Sequence, residues 1–461
     1  MACKRGLRMA SRLAVGVLAI LTGMSGGCAE PANSKQTTSP PLSLTIITPH
    51  SDRIQQSFEV GFSEWHRAEM GRNVDIQWIT RGTPQCVQYI EDIFESRGGA
   101  ESGGRPDVMF GGGIADHAML TRAGRTRKID VAKAIADIPE SINDMPTRDR
   151  EGHWYATGLS TFGIIYNHGM CEIRDVTPPV TWSDLAGPAY FGWTAIADPT
   201  ASGSHAQAMV MILERFGWQE GWPIIIRTLA NARVLAPGSS MATEQVTSGY
   251  CLAGYSVNFT GLAAQESERG VKYINPDGAT AATPDVISVL KTSTNPDLAA
   301  RFVEFCLSKP GQATWGVRPE FRQTVGDTLY HYPINPKIYE EFEGKLAVNE
   351  NPFQSTFGTT IDLDRAANES ALIAPLVQAA CGDNHVLLQR AWRAIINNDM
   401  NAEALAELTK LPIDPEKIED LAGTWRNADQ NRREEMLADW STQFRKRYEQ
   451  ALETCNSKPG A

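Results

Sequence analysis

The residues of this chain with the types and spacing to do chemistry are short polar or glycine-rich loops, each set between an apolar strand pattern and a helical one. Thr200-Ala201-Ser202-Gly203-Ser204-His205 runs into a segment in which Ala206, Met209, Leu213 and Phe216 share a helix face. Backbone N–H groups and hydroxyls at such a helix start, where the dipole is positive, form an anion site. The alternative is that Ser202 or Ser204 simply caps the helix. Gly111-Gly112-Gly113 lets a ligand approach the backbone with no Cβ in the way, or is a turn. It lacks the Lys-Ser/Thr pair of a P-loop, so nucleoside triphosphate binding is unsupported. Pro237-Gly238-Ser239-Ser240 is a third such loop, again cap or contact. His50, in the turn Thr48-Pro49-His50, has an imidazole that hydrogen-bonds a phosphate or carboxylate or, when neutral, ligates a metal. A lone histidine proves neither.

The chain has no G-x-S-x-G or H-E-x-x-H motif and no closely spaced His/Cys/Asp set, and its eight histidines are scattered. No catalytic residue, metal centre or cofactor is therefore expected. A secreted enzyme whose residues meet only in the fold stays as an alternative.

The elements that must position these loops alternate. Leu42 to Ile47 reads as a buried strand, and Ile54, Phe58, Phe62 and Trp65 recur at helical spacing with Ser51 or Asp52 as N-cap. Further strands are expected at Val74 to Ile79, Asp107 to Phe110, Thr194 to Ala197, Arg233 to Ala236 and from Cys251. Helices are expected at 115–123, 205–216 and 241–247. Strand and helix alternating through short loops imply α/β architecture with mostly parallel sheets covered on both faces. Ligands of such sheets bind outside the carboxyl ends of the strands, where these loops lie. From about Asp362 the pattern changes to successive helices carrying Trp392, Ile395, Leu405, Leu408, Leu421, Trp425, Leu437, Trp440, Phe444 and Tyr448.

At 461 residues and 42% hydrophobic content the chain can bury more than one core. Lys4, Arg5, Arg8 and Arg12, the apolar run Leu13 to Leu21 and a small-residue stretch have the order of a secretory signal. The signal ends at Met24-Ser25-Gly26-Gly27-Cys28, similar to a bacterial lipobox except for Ser25 where an aliphatic residue is usual. Lipidation at Cys28 is the expectation, and ordinary signal cleavage is the alternative. Loss of residues 1–27 takes the formal charge from −11 to −15, because four basic residues and no acidic one leave with them. No dense basic run follows, which argues against nucleic acid. Six cysteines then remain beyond Cys28, without a C-x-x-C unit; an oxidising compartment permits disulfides, but spacing does not reveal a pairing.

Four stretches carry a family resemblance: TIITPHSDRIQQSF (45–58), GLSTFGIIYN (158–167), ADPTASGSHA (197–206) and TSGYCLAGYSVNF (247–259). They resemble the bacterial extracellular solute-binding proteins of ABC importers, in the branch with iron(III)-, thiamine- and hexose-phosphate-binding proteins. The resemblance implies a two-lobed periplasmic-binding-protein fold of type 2 with a helical C-terminal extension. Its expected organisation is signal peptide 1–27, lipidated tether 28–41, first lobe 42–157, second lobe 158–283, return to the first lobe 284–361 and helical extension 362–461. It implies a monomer in the cell envelope, tethered to a membrane by its lipid, that closes on a small-molecule solute and docks on an ABC permease. A sensor role on the same scaffold is an alternative.

The same resemblance gives a set of candidate ligand contacts: Thr48, His50, Gly111, Gly112, Gly113, Ser160, Thr161, Ser202, Gly203, Ser204, His205, Ser239, Ser240, Asn258 and Phe259. Ser160 and Thr161 fall where the family's chain crosses between lobes. Iron-binding relatives place an adjacent tyrosine pair in the segment matching 256–261, which here reads Ser-Val-Asn-Phe-Thr-Gly. The nearby phenols are Tyr250 and Tyr255, in or before the strand. This departure moves the expectation from iron(III), kept as an alternative, to a phosphate- or carboxylate-bearing solute, with Asn258 and Phe259 as polar and stacking contacts.

Overall fold

Strand formation follows the β-branched and aliphatic runs of the sequence, and a computed structural model describes the outcome for residues 42–95, 104–355 and 357–457. The signal, the tether and Cys28 lie outside the described residues. In chain order the first strands are β1 (Leu42–Thr48), β2 (Val74–Thr80) and β3 (Val108–Phe110). A small antiparallel ribbon follows, β4 (Ser141–Ile142) with β5 (Met145–Pro146). Next come β6 (Tyr155–Ser160), β7 (Phe162–Asn167), β8 (Thr194–Ala197), β9 (Ala232–Ala236), β10 (Ala253–Val257) and β11 (Val271–Ile274). The last two are β12 (Thr283–Val289) and β13 (Tyr332–Pro333).

These strands build two sheets. The first has the order β13-β6-β12-β3-β1-β2 and the second β11-β7-β10-β8-β9. The chain passes from the first sheet to the second within one residue, Thr161, between β6 and β7, and it is back in the first sheet at β12.

Neither sheet is mostly parallel, contrary to the sequence expectation. The strand–helix–strand units pair in parallel, β1 with β2 and β3, and β8 with β9 and β10. The strands that carry the chain between lobes run the other way, with β12 antiparallel to β3 and β6, and β7 antiparallel to β10 and β11. A chain that leaves a lobe and returns must enter that sheet with reversed polarity. The local period of the sequence does not record this.

The first helix, Asp52–Met70, shows how pattern becomes packing. Ile54, Phe58 and Phe62 are buried at three-to-four-residue spacing, and the rings of Phe58 and Phe62 meet Phe305 at 6.0 and 5.8 Å. Gly71 ends the helix in the left-handed region (φ 70°), its N–H donating to the Arg67 carbonyl. This core of the first lobe is separate from the core of the second.

The five helices of the C-terminal region, Leu363–Cys381, His385–Asn397, Ala402–Thr409, Ile418–Asn427 and Gln430–Asn456, share the second lobe's core and extend it. Their main support is the long helical segment Gly203–Asn231, kinked at Gly217 (φ 69°, ψ 172°). Phe444 stacks on Trp222 at 5.8 Å, and the Trp392 indole donates to Asn231 Oδ1 at 2.7 Å. The Gln389 amide donates to the Ala232 carbonyl at 2.6 Å. Glu369 of the extension is buried next to Glu214 of the long segment, and burial followed by that neighbouring carboxylate pushes its pKa up to about 8. The six cysteines of the described region are all free, five of them buried.

Candidate functional site

The site is built where loops at the ends of β1, β2, β3 and β8 meet. Thr48 ends β1, and its hydroxyl donates to the Phe110 carbonyl at 2.6 Å and accepts from the His50 N–H at 3.1 Å. This fixes the turn that aims His50 inward, where its ring packs edge-on against Phe110 at 4.6 Å. Gly111 follows β3 with φ 101°, and a Cβ there would stand 2.7 Å from His50 Cε1. The glycine is required both by its backbone conformation and by the histidine lying against it.

Two residues that sequence reasoning missed complete the cluster around His50. Asp285 of β12 has Oδ2 2.9 Å from His50 Nε2 and 3.4 Å from His331 Nε2. All three residues are buried. Burial alone would raise the Asp285 carboxyl, but the two histidines beside it outweigh this and hold it well below the usual carboxylate range. The His331 Nδ1–H donates to the Leu159 carbonyl at 2.9 Å. Phe259, from the helix Asn258–Ser267 of the second lobe, stacks on the same ring at 4.5 Å and 14°.

The glycine loop leads from this cluster to the contact between lobes. A Cβ on Gly112 would lie 3.0 Å from Thr83 Cγ2, and one on Gly203 would lie 2.9 Å from Thr83 Oγ1. Thr83 therefore sits between the loop after β3 and the loop after β8. It also opens the helix Thr83–Glu95, while Gly113 caps Ile114–Arg122 and Ser202 caps the segment beginning at Gly203. Three helix N-termini, two from the first lobe and one from the second, converge on Thr83. Beside them, a Cβ on Gly82 would come 2.1 Å from the Ala201 carbonyl oxygen across the cleft. The two backbones are in direct contact.

The charge at these helix ends is unevenly compensated. Asp116 caps its own helix by accepting from the Gly113 N–H at 3.0 Å, and burial raises its pKa to about 6. No acidic side chain caps the other two helix starts: Ser202 accepts from the His205 N–H at 3.4 Å and pairs with the Ser204 hydroxyl at 3.2 Å. At the start of Thr83–Glu95 the Gln85 amide oxygen accepts from the Gly82 N–H at 3.1 Å, so the partial positive charge of these two facing helix ends meets a hydroxyl and a neutral amide rather than carboxylates.

The remaining candidates divide by position. His205 is turned into the second lobe, where Nδ1 accepts from the Ala197 N–H at 2.9 Å and burial lowers its pKa to about 3. Asn258 ties the crossing together: its carbonyl oxygen accepts from the Thr161 N–H at 3.1 Å, and its amide donates to the Tyr330 carbonyl at 3.0 Å. Ser160 and Thr161 are buried at that crossing. Ser239 and Ser240 open the helix Ser239–Thr247 on the second sheet, Ser240 exposed. Tyr255 is buried against Trp182, and Tyr250 is exposed under the Arg233 guanidinium. The structure thus gathers His50, the 111–113 loop, Phe259 and the 202–204 loop along one line between lobes.

Two mixed sheets joined by crossing strands, with ligand-type loops facing each other across the junction, define a periplasmic-binding-protein fold. Solved structures agree. The periplasmic binding protein P5PA superposes with a TM-score of 0.58 at 17% identity, over 73% of this chain and 98% of that one. AfuA from Actinobacillus pleuropneumoniae, solved with fructose-6-phosphate, gives 0.55 at 18%, over 71% and 97%. Residues 106–317 match the family model described as bacterial extracellular solute-binding protein. The phosphoglycerate transport regulatory protein PgtC of Salmonella typhimurium is 23% identical over 297 residues, 63% of this chain and 70% of PgtC.

The contact at Gly82 yields a test. An added methyl there is compatible with the first lobe alone but overpacks the junction, typically by about 1–3 kcal/mol. Gly82→Ala is expected to speed amide exchange at 83–86 and 200–205 by roughly 5- to 100-fold, with exchange in β1 and β3 unchanged. Equal exchange at both loops would contradict the closed contact.

Proposed function

We propose that the chain captures a small phosphate- or carboxylate-bearing solute between its lobes and delivers it to an ABC permease. The observation that carries this reading is the meeting of helix N-termini around Thr83. Each such end favours an anion by about 0.3–1 kcal/mol when exposed and up to about 2 when partly buried, and two of the three face the junction with serine and threonine hydroxyls as extra donors. A phosphate or carboxylate oxygen accepts from such N–H and O–H groups without needing a cation from the protein. The name of PgtC and the fructose-6-phosphate bound to AfuA support the same ligand chemistry. The family model that residues 106–317 match, described as bacterial extracellular solute-binding protein, supports binding as the role.

The signal-like order of residues 4–27 supports binding in the envelope, and we place the anchor at Cys28. Replacing Cys28 by Ala is expected to move the protein from the membrane fraction to the soluble envelope fraction; unchanged membrane association would refute lipidation there.

The ligand class is tested by thermal shift and calorimetry with orthophosphate, 3-phosphoglycerate, fructose 6-phosphate, spermidine and ferric citrate. An anionic solute raises the melting temperature by mass action. Changing Ser202 and Ser204 together to Ala is expected to weaken its binding by about 1–3 kcal/mol, roughly 5- to 150-fold. Tight binding of spermidine or iron, with no response to any anion and no effect of the double substitution, would overturn the reading.

A further inference from the structure

The cluster at the end of β1 holds more convergent polar atoms than its hydrogen bonds use. His50 Nε2, His331 Nε2 and an Asp285 oxygen lie within 4.8 Å of one another, all on buried residues. The Leu159 carbonyl can only accept, so the proton of a neutral His331 ring sits on Nδ1. Nε2 then turns a lone pair toward Asp285 Oδ2, 3.4 Å away. A lone pair facing a carboxylate oxygen is repulsive unless a proton or a metal cation lies between them. His331 Nε2, Asp285 Oδ1 and His50 Nδ1 make no hydrogen bond within the protein.

The two separations from Asp285 Oδ2 have the dimensions of a coordination shell. Ligands 2.0–2.1 Å from a tetrahedral ion stand about 3.3 Å from each other, and the two distances to Asp285 Oδ2 are 2.9 and 3.4 Å. The outer partners are also those of a metal ligand. A carbonyl fixes the tautomer of His331 through the far ring nitrogen, while Phe259 and Trp315, at 4.5 and 4.3 Å, hold the ring plane. The aromatic walls supply no second carboxylate or phenolate, and two imidazoles with one carboxylate suit a divalent ion of the zinc class better than a hard trivalent one.

We propose that His50 Nε2, Asp285 Oδ2 and His331 Nε2 bind one divalent transition-metal ion of the zinc class between the lobes. Three protein ligands leave a fourth position open. Phe259 belongs to the second lobe, so the ion loads when the lobes part. None of its ligands is among the residues around Thr83, so its occupancy does not depend on Ser202 or Ser204.

The test uses the mature, chelator-stripped protein with zinc and cobalt chlorides as probes. Calorimetry is expected to show one zinc ion per chain, and cobalt to give the intense visible bands of a four-coordinate site. Asp285→Asn and His331→Ala, checked for folding by circular dichroism, are expected to lose at least 100-fold in zinc affinity. The Ser202/Ser204 double variant and Cys455→Ala are expected to bind as the wild type does. X-ray absorption of the zinc-loaded wild type needs no variant, and is expected to show two imidazoles with oxygen and no sulfur. No stoichiometric binding, a sulfur shell, or full affinity in Asp285→Asn and His331→Ala would each overturn the proposal, leaving a protonated histidine–carboxylate network.

Discussion

The backbone contact between the two lobes is the constraint on which the site depends. Gly82 meets the Ala201 carbonyl and Gly203 meets Thr83, each at a distance that a side chain would prevent. Because each of these contacts has a glycine on one side, a helix start from each lobe reaches the same few ångströms of space. Their unpaired N–H groups then act together rather than separately. A bulkier pair of loops would leave two ordinary capped helices facing water.

Holding such a junction requires rigid supports behind both loops. In the first lobe the support is the sheet itself, where β1 lies between β2 and β3 and the Thr48 hydroxyl spans to Phe110. In the second lobe it is the long segment from Gly203, clamped over its far half by the C-terminal helices through Trp222, Asn231 and Ala232. The extension therefore stiffens the element whose first turn forms part of the site. The crossing is tied by side chains on both sides of it: Asn258 links Thr161 to the returning chain at Tyr330, and the Thr280 hydroxyl bonds both the N–H and the carbonyl of Phe162. These hydrogen bonds gather at a narrow passage between two packed bodies, where a hinge would lie.

Local pattern made the loops legible in the sequence. The period change at Asp107 to Ala123 and at Thr194 to Phe216 marks strand end, loop and helix start directly, and the structure has each of them with small shifts of boundary. Long-range pairing was not legible. The polarity of β6, β7 and β12 follows from where the chain crosses between lobes. Asp285 stands 235 residues from the His50 it contacts, in a strand with no local motif around it. His331 lies in an irregular stretch between aromatic residues with no motif around it. Thr83 opens a helix with no glycine-rich signature beyond Gly82. His205 shows the converse: it stands beside the loop in sequence, yet it turns into the core because its neighbours on the helix face are apolar.

The charge of the whole molecule and that of the site are opposed. A chain of formal charge −11 repels anions at long range, but that field is screened within about 8 Å at physiological salt. Within the junction, short hydrogen bonds in a partly dehydrated space decide the outcome. Capture then requires the lobes to close around the solute, so the most direct measurement is small-angle X-ray scattering of the mature protein with and without saturating phosphorylated solute. A smaller radius of gyration with solute, and recovery of the larger value on its removal, is the expected result. Superimposable profiles at saturation would contradict a closing cleft.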